Sequence, residues 1–229
     1  MGTITAVLAS AVAFVGSHFL LSHPLRKSLV ASLGEKGFLG LYSLVAFVTL
    51  GWVILAYRAA PPTQFLWPVG DLLWAVVSVL MLIASILFMG SVIGNPALVT
   101  AKQSETAPEA RGAFAITRHP MMWSFALWGA CHIAVFPVAA NIIVASAIIV
   151  LALAGAALQD RKKERLQPDF WPAWEAKTSY LPFAAVAAGK ARLSGFRMHD
   201  IAGGILVWIA ATWAHIPLSG WAAGIWRWL

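Results

Sequence analysis

The chain reads as an all-α membrane protein, a polytopic bundle of about six transmembrane helices with both termini on the non-cytoplasmic side. Three observations predict this. Hydrophobic residues make up 60% of the chain and charged residues 11%, against about 45–50% and about 25% in soluble globular domains. Six apolar runs meet or approach the roughly 20 residues needed to cross a ~30 Å hydrocarbon layer. The basic residues are confined almost entirely to alternate connections between those runs.

In chain order, the first run, Thr3–Ser22, has no basic residue ahead of it and is longer than the central region of a signal peptide. It is expected to be a retained span. His23–Gly37 suits a short amphipathic helix, with Leu25, Leu29, Val30 and Leu33 near one face and Arg26, Lys27 and Lys36 toward lipid headgroups. Phe38–Tyr57 is the second span, and Arg58–Asp71, with Pro61, Pro62 and Pro68, a rigid turn. Leu72–Val99 is the third span. The polar Thr100–Thr117 connection, with Pro108 and Gly112, is expected to be a mobile loop. Met121–Ala139 and Asn141–Leu158 are the fourth and fifth spans. The long Gln159–His199 connection begins DRKKERLQPDFWPAWEAKTSYLPF, whose mixed charges and rings suit the headgroup layer. Ile201–Leu218 is the sixth span. Gly220–Leu229 holds three tryptophans and Arg227 and reads as an interfacial tail.

Charge sets the orientation. The first, third and fifth connections carry Arg26, Lys27 and Lys36, then Lys102, Arg111 and Arg118, then Arg161, Lys162, Lys163, Arg165, Lys177, Lys190, Arg192 and Arg197. Of the 16 basic residues, only Arg58 and Arg227 remain for the other side. Positive charge marks the cytoplasmic face, so removing any internal span would scramble the bias. The net charge of +7 is therefore mostly topology and calls for no nucleic-acid partner; the expected partner is the lipid bilayer. Cys131 is the single cysteine, which excludes an internal disulfide and a cysteine-based zinc site. Residues 1–187 and the additional span and tail in 188–229 are expected to form one structural unit.

The stretch Gly112–Pro137 carries the most chemistry. Arg118-His119-Pro120 opens an apolar helix, and His132 follows roughly 18 Å further along it, at about 1.5 Å per residue. An ionisable side chain at such a depth is a functional-site candidate. His215 lies ~22 Å along the sixth span, His18 about one turn inside the cytoplasmic edge, and His23, His119 and His199 at that edge. Depth alone pairs His132 with His215. Two histidines from different spans could grip a haem iron from opposite faces. Equally, each could hydrogen-bond a backbone carbonyl and lock helix packing. No HExxH pair is present to suggest a zinc protease. Pro120 at the first helical position leaves N–H donors and a dipole favourable to anions, to which Arg118 and His119 add donors. A haem propionate, a lipid phosphate or a cofactor carboxylate would suit them. Asp160 with Arg161, Lys162, Lys163, Glu164 and Arg165 is expected to be a solvated or headgroup-facing cluster.

The segments GSHFLLSHPLR (16–26), LGEKGFLGLYSLVAF (33–47), ITRHPMMWSFALWGACH (116–132) and AKTSYLPFAA (176–185) together resemble the NnrU family of bacterial membrane proteins, which also embraces the 15-cis-zeta-carotene isomerases. The resemblance covers roughly residues 1–187. It implies haem b held by His18 and His132, with Arg118 and His119 as propionate or supporting contacts, and a role in the inner membrane linked to nitrite and nitric oxide reduction. The isomerase branch carries a cysteine three residues before its second histidine, where this chain has Gly129, so carotene isomerisation is the less expected activity. A more distant likeness, GAFAITRHP followed by charges and FWPAW, is to the isoprenylcysteine carboxyl methyltransferases. It implies S-adenosylmethionine held by Arg118, His119, Glu164 and Trp174. A third possibility is a non-catalytic assembly partner of a membrane reductase, and a small lipophilic substrate suits either enzyme reading.

Overall fold

A computed structural model describes residues 2–98 and 107–229, and its regular structure there is entirely helical. The elements are α1 (Ile4–Ser22), α2 (Arg26–Ala59), α3 (Asp71–Gly90), α4 (Ala113–Ile116), α5 (Pro120–Val135), α6 (Ala139–Leu166), α7 (Phe170–Lys177), α8 (Ala184–Ala187), α9 (Met198–Ser219) and a closing 3-10 turn, Gly224–Arg227. Five of them, α1, α2, α3, α6 and α9, are long and apolar enough to cross a membrane, and α5 is a shorter apolar helix of 16 residues. The chain divides into two compact units, Met1–Val69 with His132–Leu151, and Gly70–Cys131 with Ala152–Leu229.

In the first unit, Thr3 caps α1 by accepting the Ala6 N–H at 3.0 Å. Pro24 disfavours helical geometry at His23, and α1 ends there. Within α2, Gly34 has φ +70° and ψ 169°, which breaks one long helix into two. The amphipathic piece expected between His23 and Gly37 and the second span are therefore both present, separated at Gly34. Val7 of α1, Ala56 of α2 and Ala140 of α6 pack together in a buried cluster. The proline-rich 61–70 connection is held by Leu66 N–H donating to Pro137 O at 3.0 Å and the Trp67 indole donating to Ala134 O at 3.0 Å.

In the second unit, α3 and α9 pack closely because Gly204 has no side chain. A Cβ there would lie 2.6 Å from Ile86 Cγ1 and 2.7 Å from Ile86 Cα. Small residues admit such approach between apolar helices. At the start of α9, Asp200 is 1% exposed and accepts from Arg197 Nε at 3.0 Å and from the Arg197 N–H at 3.1 Å. In the closing tail, Arg227 donates to Asp71 at 2.8 Å and lies 4.9 Å from the Trp74 ring centre.

Several expected boundaries move. The third span stops at Gly90 rather than Val99, which lies outside the described residues. Ser91 donates its hydroxyl to Phe88 O at 2.5 Å, Gly94 takes φ +73°, and Asn95 Oδ1 accepts the Ala97 N–H at 3.0 Å. That turn chemistry overrides the apolar run. Lys102 and the rest of residues 100–106 of the expected mobile loop also lie outside the described residues, but 113–117 form a buried helical turn and its cap. α5 ends at Val135 ahead of Pro137, which has no N–H to continue it. α6 runs on to Leu166, so the charged cluster sits on helix.

Gly204→Ala should overpack the α3–α9 contact and destabilise the protein by about 1–3 kcal/mol. Gly51→Ala, where an added Cβ meets nothing within 4 Å, should stabilise by roughly 0.5–1 kcal/mol. Thermal unfolding in detergent reads both, and equal effects would contradict this packing.

Candidate functional site

Two clusters hold the sequence-predicted residues, one in each unit. In the second unit, Thr117 has extended backbone and Pro120 starts α5, so Arg118 and His119 lie in the short link between α4 and α5. That link is strapped to residues 178–183. The Arg118 N–H donates to Ser179 O at 2.8 Å, the Phe183 N–H donates to Ile116 O at 2.7 Å, and the Thr117 hydroxyl and Trp123 indole both donate to Tyr180 O, at 2.8 and 2.9 Å. The Tyr180 hydroxyl in turn donates to Leu153 O at 2.7 Å. The ITRHP and TSYLPF segments, separate in sequence, thus form one structure.

Its centre is Asp160 of α6, 6% exposed. Its Oδ2 accepts from Arg118 Nε at 2.8 Å and Nη2 at 2.7 Å, and its Oδ1 lies 2.6 Å from His119 Nε2. A carboxylate only accepts, so that His119 nitrogen carries the proton. Arg118 Nη2 also reaches Glu175 Oε1 at 3.1 Å. His119 is 2% exposed, with ring centres of Tyr180 and Trp171 at 6.0 and 6.4 Å. Trp171 and Trp174 are buried against Ala97, Ala110 and Phe114, and their indole N–H groups have no partner. Burial pushes the Glu175 carboxyl up. Arg118 opposes that shift, while Asp160 and Glu164 reinforce it.

This corrects two expectations. Asp160 is not a solvated charge, because it is the counter-ion of Arg118 and His119. Trp171 and Trp174 do not dip into headgroups, because they pack inside the protein. Glu175 was not singled out from sequence, and Tyr180 only as one of the rings in the segment suited to the headgroup layer. One available signal was spacing: Ala152, Ala156 and Asp160 recur every four residues on the buried side of α6, so Asp160 continues an interior stripe.

In the first unit, His18 is half-buried in the last part of α1. Its Nδ1 lies 2.7 Å from Phe14 O, and its ring centre lies 4.4 Å from that of Phe14 and 5.4 Å from that of Tyr42, both edge-on. Tyr42 is 6.0 Å from Phe38. Two motif segments, 16–26 and 33–47, are therefore brought together. His132 lies in the last turn of α5, where its carbonyl accepts from Asn141 Nδ2 at 2.9 Å. Asn141 follows Ala140, which packs on Val7. His18 lies eleven residues beyond Val7, ~16 Å along α1 at about 1.5 Å per residue. His132 is thus tied to the first half of α1 and His18 to its end. His215, in the second unit, places Nδ1 2.8 Å from Ala211 O. Among the described residues, no three His, Cys, Asp or Glu side chains gather to hold a metal ion; axial ligation of a haem needs only two.

A family model described as NnrU protein matches residues 6–223, further than the expected extent of roughly residues 1–187, and the chain belongs to that family. No curated protein and no solved structure matches it.

Asp160→Ala leaves Arg118 and His119 without their shared acceptor and should cost about 3–5 kcal/mol. Glu175→Gln replaces a carboxylate whose ionisation burial disfavours, so near neutral pH it should be neutral or slightly stabilising, by ~1 kcal/mol or less. Equal losses in detergent denaturation would contradict the central place of Asp160. Because the Glu175 carboxyl is raised, its protonation favours the folded state. The stabilisation is present at low pH and is lost as pH rises through the folded value, so wild type should gain on Glu175→Gln as pH falls.

Proposed function

We propose that this protein binds haem b in the bacterial inner membrane, that His18 and His132 are the residues that would hold its iron, and that it serves a membrane redox process linked to nitrite and nitric oxide reduction. Family membership and five membrane-length helices support the setting. The positive-inside bias supports both termini on the outer side.

The observation that carries the reading is the setting of His18, with the Phe14 and Tyr42 rings edge-on to it and Nδ1 2.7 Å from Phe14 O. A carbonyl oxygen only accepts, so Nδ1 bears the proton and the neutral ring keeps its lone pair on Nε2. Histidines that ligate metals are oriented by such a second hydrogen bond. The Phe14 and Tyr42 rings give a flat, apolar group a wall. When bound, haem would supply an iron centre able to exchange an electron or take a small ligand. The chain's part is to fix the imidazole tautomer and to exclude water. His132 enters through the family resemblance; its tie to the first half of α1 makes it the ligand that must reach further. A propionate at Arg118 would have to displace Glu175.

A second reading, an S-adenosylmethionine-dependent methyltransferase, is favoured by one observation. The indole N–H groups of Trp171 and Trp174 are buried without partners, and the Trp171 ring centre lies 6.4 Å from that of His119; a ligand with acceptors would satisfy them. Carotene isomerisation is weakened by Gly129, because Cys131 is buried and lies two residues away along the helix.

Protein purified in detergent from haem-replete cells should show a Soret band. His18→Ala should abolish it, His132→Ala should shift it toward five-coordinate iron, and His215→Ala should leave it unchanged. A wild-type preparation without the band would overturn the haem reading. Binding heat with S-adenosylmethionine, in protein free of haem, would instead favour the methyltransferase.

A further inference from the structure

We propose that Arg26 and His23 form the anion-holding edge of the His18 site, the place where the carboxylates of a haem would be gripped. The proposal rests on the haem reading and moves its carboxylate contacts away from Arg118 and His119.

The geometry starts from two orphaned atoms. Arg26 uses Nη2 on both oxygens of Glu35, each at 3.0 Å, yet its Nε is buried with no partner. His23 is held from one side only. The Ser22 hydroxyl donates to His18 O at 2.5 Å, so its oxygen accepts from His23 Nδ1 at 2.8 Å, and His23 Nε2 is buried with no partner. Buried polar atoms are nearly always satisfied, so two within three residues call for a missing partner.

The Arg26 guanidinium is continuous with the His18 wall. Ring centres run from His18 to Tyr42 at 5.4 Å and on to Phe38 at 6.0 Å, and the Arg26 guanidinium lies 5.3 Å from Phe38. Along the chain, His23 follows His18 by five residues, more than one helical turn. A ligand matching this edge has a flat apolar body at His18 and anionic oxygens about a turn beyond, at the end of α1. The Arg26 Nε–H donates to such an oxygen as a charge-assisted bond. His23, whose Nδ1 proton goes to Ser22 Oγ, offers its Nε2 lone pair to the protonated oxygen of a second carboxyl group.

The shared chemistry is an oxyanion, from either a haem carboxylate or a lipid phosphate. To separate them, apoprotein in detergent is loaded with haem b or with its dimethyl ester, which lacks free carboxylates. Transfer of each to a haem-scavenging apoglobin is then timed. Wild type should hold the free acid on the order of tenfold longer than the ester, the size expected for one charged hydrogen bond. Arg26→Gln and His23→Gln should each shrink that ratio toward one with the Soret band retained, and Arg26→Lys should recover part of it. An unchanged ratio in both variants overturns this assignment while the haem reading stands. A wild type that takes up no haem overturns both. Native mass spectrometry with phosphatidylglycerol supplies the other arm: a bound phospholipid lost on Arg26→Gln, with no acid–ester discrimination in wild type, overturns the carboxylate in favour of a lipid phosphate. Thermal midpoints within a few degrees of wild type establish that the variants fold.

Discussion

One carboxylate organises the second unit. Asp160 is buried on a helix that is apolar for most of its length, and an isolated charge there would be prohibitively costly. It is held because three donor contacts converge on it, two from Arg118 and one from His119. Those donors come from a link between two helices, and a link has no internal hydrogen bonding to fix it. The Asp160 contacts and the strap to Ser179, Tyr180 and Phe183 supply what the link lacks. Positions 116 to 123, the end of α6 and the 178–183 segment therefore stand or fall together. Breaking such a pair is severe because it leaves the partner charge buried, while the intact pair itself adds modest net stability.

Elsewhere, polar side chains solve the same problem locally. Ser10, Ser17, His18, Thr49, Ser78, Ser85, Thr212 and His215 each bond a backbone carbonyl three or four residues earlier. In a helix surrounded by hydrocarbon, this is the cheapest available partner. A polar residue in a span is therefore not in itself a sign of function. The informative quantity is the capacity left over once the local bond is made. Serine and threonine, with one proton each, have only acceptor capacity left. His18, bonded through Nδ1, keeps its lone pair on Nε2.

Much of the fold was legible in the sequence. Apolar runs located the long helices, and Gly34, inside the His23–Gly37 stretch expected to form a short amphipathic helix, is where α2 breaks. What the runs could not show was where a helix stops within apolar sequence. Val92, Ile93, Ala97 and Leu98 extend the hydrophobic signal of α3, but Ser91, Gly94 and Asn95 end it through hydrogen bonds and a positive φ. The burial of Asp160 was hidden for a related reason: it sits next to five charged residues, and local composition outweighs a four-residue spacing when only one chain is read. Sequence alone does not place Tyr42 beside His18, and the imidazole tautomer is legible only from the Nδ1 contact to Phe14 O.

Sequence alone ranks cations by the motif that carries them, and that ranking favoured Arg118 and His119 as holders of an exogenous anion. The structure ranks them by what already faces them. Arg118 spreads its charge over two carboxylates, and His119 gives its Nε2 proton to one of them, so an incoming anion there competes with two resident acceptors. Arg26 faces one carboxylate through a single terminal nitrogen and keeps a buried, unanswered Nε–H. His23 has one ring nitrogen answered and one not. Electrostatic attraction to a new ligand depends on charge still uncompensated in a low-dielectric place. On that criterion the end of α1 has capacity to bind, and the better-marked RHP link has largely used its own on the fold.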